Sequence, residues 1–321
     1  MMQESLRPYR HKIAFIVPTR NRTELLKKLL DSIKKQIVAP DQIIIVDGSD
    51  QPVDSQIQEY LTTNVICVRC FPPSLTKQRN AGLNYIRNDI TLIGYLDDDI
   101  EFEPDTIQNL LIYWQSCADT IGGTQFNIIN NPPRNPLSRW LTILFGIDNK
   151  IPGKVLSSGF VSTELPLTKN LYSEWLCGGA TIWKREILEN YSFDEWYAGW
   201  AYHEDVDFSY RVSKKFDLVV TVGSNVWHNP PPYNNSKKYS LGKMMVVNRY
   251  HFVKKNPEFS VFPFYWSTSG QILLNVLKSL WDLDCGGINE ARGNISGLYH
   301  ILRKDYVQLD ENFREQQITK G

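Results

Sequence analysis

The sequence predicts an α/β protein on a mostly parallel sheet, and three observations carry that expectation. From Lys12 to Glu103, short β-branched runs alternate with longer helical patterns, the signature of βαβ units. The composition, 42% hydrophobic and 22% charged over 321 residues, is that of a folded globular chain rather than a disordered, collagen-like or coiled-coil one. Three of the first four strands run into polar side chains, where open parallel sheets bind their ligands.

The elements follow in order. KIAFIVP (12–18) reads as a buried first strand, and RTELLKKLLDSIKKQ as a helix with Leu25, Leu26, Leu29, Leu30 and Ile33 on one stripe. QIIIVDG (42–48) and NVICVRC (64–70) are the second and third strands. SLTKQRNAGLNYIR then reads as a helix, DITLIGYLDDD (89–99) as a fourth strand, and Glu103-Pro104 as the start of another helix. After Asp119, Pro132, Pro133, Pro136, Pro152 and Pro166 break the chain into loops and short pieces. Order returns with EWLCGGATIWKREIL (174–188), the aromatic loop FDEWYAGWAYHED (193–205) and a strand, DLVVTVGSNVWH (217–228). Lys237 to Lys255 holds six basic residues and no acidic one, and Phe259 to Leu277 holds no charge. Pro263, Gly270, Gln271 and Asn275 make that second run too broken to span a bilayer, so it reads as an interfacial or buried helix.

Composition narrows function as well. With 35 basic and 35 acidic residues the chain is neutral, which argues against a nucleic-acid partner. Five scattered cysteines do not make a disulfide scaffold; Cys67 and Cys70 lack the second ligand pair of a zinc site and read as structural. The N-terminus has no apolar signal-peptide core, so a cytoplasmic site is expected.

The strand-end groups are Pro18-Thr19-Arg20, Asp47-Gly48-Ser49 and Asp97-Asp98-Asp99. Taken alone, Asp47 suits a turn or cap as well as a ribose or base. Residues i and i+2 of an extended or turning segment share a side, so Asp97 and Asp99 can address one cation while Asp98 points elsewhere. Hard carboxylate oxygens suit Mg²⁺ or Mn²⁺. HEDVDF (203–208) is a second acidic cluster, beside Trp196, Tyr197, Trp200 and Tyr202, a setting suited to sugars. Val206, Phe208, Tyr210 and Val212 alternate as in a strand, yet Glu204 and Asp205 also suit a helix start, and periodicity leaves both open. His228, after an apolar strand, is by itself an ordinary surface or hydrogen-bonded histidine.

Together these pieces resemble the family 2 inverting glycosyltransferases of the nucleotide-sugar-binding GT-A fold. The resemblance rests on IVPTRNR (16–22), IIIVDGSD (43–50), KQRNAGL (77–83), GYLDDDI (94–100), WLCGGATIWKRE (175–186), FDEWYAGWAYHEDVDFSYRV (193–212) and NVWH (225–228), in family order. It implies a catalytic domain over residues 12–232 between an N-terminal extension (1–11) and a helical tail (233–321), with HEDVDFSYR on a helix. It implies that Thr19, Asp47 and Arg79 bind the nucleotide, with Pro18, Arg20 and Arg22 of the first motif alongside. Asp97 or Asp98 faces the ribose of the nucleotide sugar; Asp97, Asp99 and His228 hold Mn²⁺ or Mg²⁺, with Asp99 the foremost direct ligand. Asp205 is the catalytic base, and Trp175, Cys177, Gly178, Gly179, Trp200, His203 and Glu204 line the acceptor side. The implied partners are a nucleotide diphosphate sugar, with UDP or dTDP as carrier, and a glycan or lipid-linked acceptor in cell-surface polysaccharide synthesis. The tail resembles relatives that work at the cytoplasmic face of the membrane; peripheral membrane contact and homo-oligomerisation are the two roles it suggests. The rival expectations are a nucleotidylyltransferase, for which PTRNRTE lacks the glycine-rich phosphate loop, and an inactive glycan-binding module.

Overall fold

A computed structural model describes residues 9–131, 136–163, 166–232, 234–282 and 285–306. Most of the N-terminal extension (1–8), Pro132 and Pro133, and the tail beyond residue 306 lie outside the described residues.

The first half alternates as the pattern requires: β1 (Ile13–Thr19), α1 (Thr23–Lys34), β2 (Gln42–Asp47), β3 (Val65–Arg69), α2 (Leu75–Gly82) and β4 (Leu92–Leu96). The body continues with β5 (Ile100–Phe102), α3 (Thr106–Ser116), β6 (Ile121–Ile128), α4 (Pro136–Leu144), β7 (Leu171–Ser173), β8 (Ala180–Lys184), α5 (Arg185–Asn190), α6 (Glu204–Ser213) and β9 (Asp217–His228). The tail is helical: α7 (Asn235–Lys255), α8 (Val261–Asp282) and α9 (Gly286–Arg303). The strands form one sheet, β3-β2-β1-β4-β8-β6-β9-β5, with β7 also on β9. Pairing is parallel from β3 to β4 and between β6 and β9; it is antiparallel where β8 joins β4 to β6 and where β5 and β7 add to β9.

Helices on both faces explain why β1 is buried at every position. Phe15 and Val17 pack with Leu26, Leu29 and Ile33 of α1 and Trp114 of α3. Ala14 and Ile16 pack on the other face with Tyr95, Trp183 and Phe208. Cys67 packs on the first face and Cys70 on the second, and both are free thiols.

Two elements differ from the reading of the residues alone. The fourth strand stops at Leu96, because Asp97 N–H donates to Gly179 O at 2.9 Å and Ile100 N–H to Asp97 O at 3.3 Å, closing a turn through the three aspartates. The alternating segment after Glu204 is the helix α6, not a strand. Phe208 and Val212, one turn apart, face the sheet, while Val206 and Tyr210, also one turn apart, face a third cluster with Val246, Phe252, Phe264 and Ile301 of the tail. Two apolar stripes on opposite sides of one helix produce an alternation in sequence.

The third cluster joins tail to body. Within the tail α7 and α9 approach backbone to backbone: a Cβ on Gly242 would lie 2.3 Å from Glu290 O, and one on Gly293 would lie 2.1 Å from Tyr239 O. Among the described residues, no helix is long and apolar enough to cross a membrane.

Candidate active site

The carboxyl ends of β1, β2 and β4 converge as parallel pairing dictates. At the end of β4 the turn separates the three aspartates. Asp98 is buried; its carboxylate accepts from Thr19 Oγ1 at 2.8 Å and lies 2.7 Å from Arg22 Nη2. Burial pushes its carboxyl up to about 7, against the opposing pull of Arg22 and the Thr19 hydroxyl. Asp97 and Asp99 turn the other way and meet His228, the three offering one ligand atom each within 4.8 Å of one another.

The reach of His228 is set by β9. The β6–β9 register shifts between Phe126 and Asn127, opposite a β9 segment that contains Gly223 at φ +89°. Beyond this bulge β9 pairs with β5, His228 opposite Ile100, next to Asp99. His228 Nε2 lies 3.3 Å from Asp99 Oδ1, and Arg22 Nη1 lies 3.1 Å from Asp99 Oδ2. Burial works against ionisation of both partners, but their mutual contact outweighs it: the Asp99 carboxyl is held below its ordinary range and His228 above. Two carboxylates and an imidazole are a donor set that fits a divalent cation such as Mn²⁺ or Mg²⁺. The buried Asp99 Oδ1 also has no well-formed hydrogen bond.

Arg79, 1% exposed, ties this cluster to the second acidic one, with Nη2 3.1 Å from Asp97 Oδ1 and Nη1 2.8 Å from Glu204 Oε1. Its guanidinium also lies 5.0 Å from the centroid of the Phe193 ring. Burial raises the Glu204 carboxyl well above its usual range; adjacent Asp205 adds to the shift and Arg79 opposes it. Asp205 is likewise raised by burial, opposed by the Gly178 N–H and Arg79. The Gly178 N–H donates to Asp205 Oδ2 at 3.1 Å. The two glycines permit this approach, since a Cβ on Gly179 would lie 2.0 Å from Asp97 Oδ2 and one on Gly178 2.7 Å from Arg79 Nη1.

The loop ahead of α6 is strained. Ala201 and His203 take left-handed φ values of 54° and 82°, rare for residues with a Cβ. His203 is buried and its imidazole is pushed down to about 3, chiefly by burial and then by Arg249. Contacts from α7 hold the loop: Asn248 Nδ2 donates to Tyr202 O at 2.7 Å, Lys255 Nζ pairs with Asp194 at 2.7 Å and Asp207 at 2.9 Å, and His251 stacks on Trp196 at 3.6 Å.

The remaining sequence candidates fall in different places. Asp47 is fully buried and its carboxylate accepts from Ser49 N and Val53 N and pairs with Arg69, so it organises the loop after β2. Pro18 is buried in β1 opposite Val46, and Arg20 lies 3.5 Å from Asp50. Trp175 donates its indole N–H to Ser162 O at 3.0 Å, and its ring packs on the third cluster, which includes Val206, the residue after Asp205. Cys177 presents its N–H to Gln125 Oε1 at 2.6 Å. Trp200 is 37% exposed, with Lys237 Nζ 5.7 Å from its ring centroid. Sequence reasoning missed Arg69, Gln78, Asn248, His251 and Lys255. Of these, Gln78, inside the KQRNAGL motif, donates to Thr19 O and Val46 O and so locks β1 to β2 at the site.

Known proteins share the family and the fold of this chain. The family described as Glycosyl transferase family 2 matches residues 14–175. A validoxylamine A glucosyltransferase of Streptomyces hygroscopicus subsp. limoneus is 21% identical over 289 residues, 81% of this chain and 60% of the relative, so the chain spans about 60% of that relative's length. Among solved structures, the mannosyltransferase PcManGT from Pyrobaculum calidifontis, in complex with GDP-Man and Mn²⁺, superposes with a TM-score of 0.58 at 13% identity, covering 92% of this chain and 91% of that one. GalNAc-T7 with UDP, GalNAc and Mn²⁺ gives 0.54 at 16% identity, covering 85% of this chain and 58% of that one.

Proposed function

We propose that this chain, which belongs to glycosyl transferase family 2, moves one sugar from a nucleotide diphosphate donor to an acceptor hydroxyl with inversion at the anomeric carbon. The observation that carries the reading is the pairing of two unlike acidic groups across Arg79. On one side, Asp97, Asp99 and His228 form a site for a hard cation; on the other, Asp205 is a carboxylate with a raised pKa beside a glycine turn.

Asp97, Asp99 and His228 would hold Mn²⁺ or Mg²⁺, which when bound neutralises charge developing on the leaving diphosphate. Two solved glycosyltransferases of the same fold contain Mn²⁺, one with GDP-Man and the other with UDP and GalNAc, which supports a nucleotide-sugar donor here. Thr19, Arg22 and Asp98 form the wall at the end of β1 where the nucleotide would rest, and Arg79 keeps Asp97 and Glu204 in place. Asp205 takes the proton from the attacking hydroxyl; a raised pKa makes it a stronger base than a surface aspartate. Trp200 and the Cys177-Gly178-Gly179 turn would border the acceptor, a glycan or lipid-linked sugar, and assembly of a cell-surface polysaccharide is the process this chemistry suits. Family membership favours sugar transfer over nucleotidylyl transfer.

The test is a thermal-shift screen of nucleotide diphosphates and their sugars with Mn²⁺, followed by donor hydrolysis and NMR of the product. A ligand selective for the native state raises Tm. No stabilising nucleotide sugar, or binding without hydrolysis or transfer, overturns the enzyme reading in favour of an inactive binding module. A product with the donor's anomeric configuration overturns inversion.

A further inference from the structure

The loop that leads into Asp205 does not hold its shape alone. Residues 193–203 form no helix or strand, and they end with Ala201 and His203 in the left-handed region, a conformation that persists only where the surroundings enforce it. On the body side α2 enforces it. Asn80 exchanges two hydrogen bonds of 3.0 Å with the Phe193 backbone, Thr76 Oγ1 donates to Tyr197 O at 2.8 Å and Leu75 N–H donates to Gly199 O at 3.1 Å. On the other side the tail does so. Asn248, His251, Phe252 and Lys255 stand at i, i+3, i+4 and i+7 of α7 and therefore share one face. All four reach the loop: Asn248 bonds Tyr202 O, His251 stacks on Trp196, the Phe252 ring lies 5.1 Å from that of His203, and Lys255 pairs with Asp194.

Lys255 differs from the other three because it joins the two ends of the loop. Its ammonium lies 2.7 Å from Asp194 Oδ2, near the start of the loop, and 2.9 and 3.0 Å from the two carboxylate oxygens of Asp207, in the first turn of α6. Asp207 is fully buried and its N–H donates to His203 O at 3.1 Å, so its position fixes where the helix begins. Asp205 belongs to the same turn, and the Gly178 N–H meets its carboxylate at 3.1 Å, a contact that a shift of the turn would disturb. We propose that Lys255 is a positioning residue: by tying Asp194 to Asp207 it fixes the first turn of α6 and aims Asp205, so that the helical tail completes the active site. The inference rests on the transferase reading above and adds to it a residue from outside the 12–232 segment. Anchoring of the tail is a separate matter. Val246, Phe252, Phe264 and Ile301 already join the tail to Val206 through the third cluster, and Arg211 Nε pairs with Asp207 Oδ2 at 3.0 Å independently of the lysine. Neither the tail nor the buried carboxylate depends on Lys255 alone, so its replacement leaves a folded protein.

The test compares the full chain with its Lys255→Met and Lys255→Arg variants by two readouts. The first is amide hydrogen exchange, which needs no substrate. Lys255→Met should speed exchange over residues 194–204 at least about tenfold and leave β1 and β2 within about twofold of the parent, and Lys255→Arg, which keeps the charge, should restore protection. The second is hydrolysis, with Mn²⁺, of the nucleotide sugar that raises Tm most in the screen above, water taking the place of the acceptor hydroxyl. In Lys255→Met kcat should fall at least about tenfold while donor KM stays within about twofold, and Lys255→Arg should recover most of the loss. Three results overturn the proposal: unchanged exchange over 194–204 in Lys255→Met, exchange raised equally in β1 and β2, which makes Lys255 a general stabiliser, or an unchanged kcat although the loop has loosened. A parent protein that hydrolyses no nucleotide sugar counts against the transferase reading and not against the tie, which amide exchange then judges alone.

Discussion

Asp205→Asn removes a proton acceptor with little change of shape, and the structure sets what else it changes. Asp205 Oδ2 accepts from Gly178 N at 3.1 Å and Oδ1 from Val206 N at 2.8 Å. An amide has one acceptor oxygen, so one N–H loses its partner, which costs about 1 kcal/mol. A second effect has the opposite sign. Burial raises the Asp205 carboxyl above its unfolded value, so the native state loses stability as pH rises from the unfolded toward the folded pKa, and a neutral side chain escapes that penalty at pH 7. Because the two effects oppose, Tm is expected to move by no more than about 4 °C. Turnover behaves differently: loss of a general base removes at least about 10²-fold, or about 2.7 kcal/mol of barrier lowering. The assay is kcat at saturating donor and acceptor, with donor Kd measured separately and expected within about twofold of the parent's. The parent's kcat should fall as pH drops through the raised Asp205 pKa, and the variant should lack that acid limb. A variant whose turnover stays within a few-fold of the parent's refutes Asp205 as the base.

The other predictions concern the groups around it. Asp99→Ala should abolish the metal dependence of donor affinity, and EDTA should stop transfer by the parent protein; full activity in EDTA removes the ion from the mechanism. Gly179→Ala drives a methyl into Asp97, whose carboxylate would otherwise lie 2.0 Å from the new Cβ, and should weaken donor binding by about tenfold and stability by about 1 to 3 kcal/mol, read by titration and denaturant melts. Arg79→Met leaves Asp97 and the buried Glu204 unpaired and should destabilise by about 3 to 5 kcal/mol at pH 7. That loss should shrink as pH falls and Glu204 takes a proton, so a pH-independent change in Tm contradicts the pairing.

Much of this protein was legible without coordinates. The short β-branched runs within 13–19 and 42–47 suit strands covered on both faces, and the stripe of Leu26, Leu29, Leu30 and Ile33 suits a helix lying on them, so their alternation along the chain points to the α/β class. Strand ends likewise point to where Thr19, Asp98 and Asp99 gather, because parallel strands bring their carboxyl ends to one edge. Periodicity records which positions are apolar but not what they face, and three features were decided by tertiary contacts. The alternation of Val206, Phe208, Tyr210 and Val212 is two helical stripes held between separate clusters, which no one-dimensional pattern distinguishes from a strand. The partners of the Asp47 carboxylate, Arg69 and the Ser49 and Val53 amides, are set by the fold of the loop after β2 and by β3. On α8, Thr268 and Gln271 are buried and accept from the guanidinium of Arg249 of α7, while Trp266, Leu273 and Leu277 stay exposed. In each case the deciding partner is distant in sequence or lies across a packed interface, and only the folded chain brings it near.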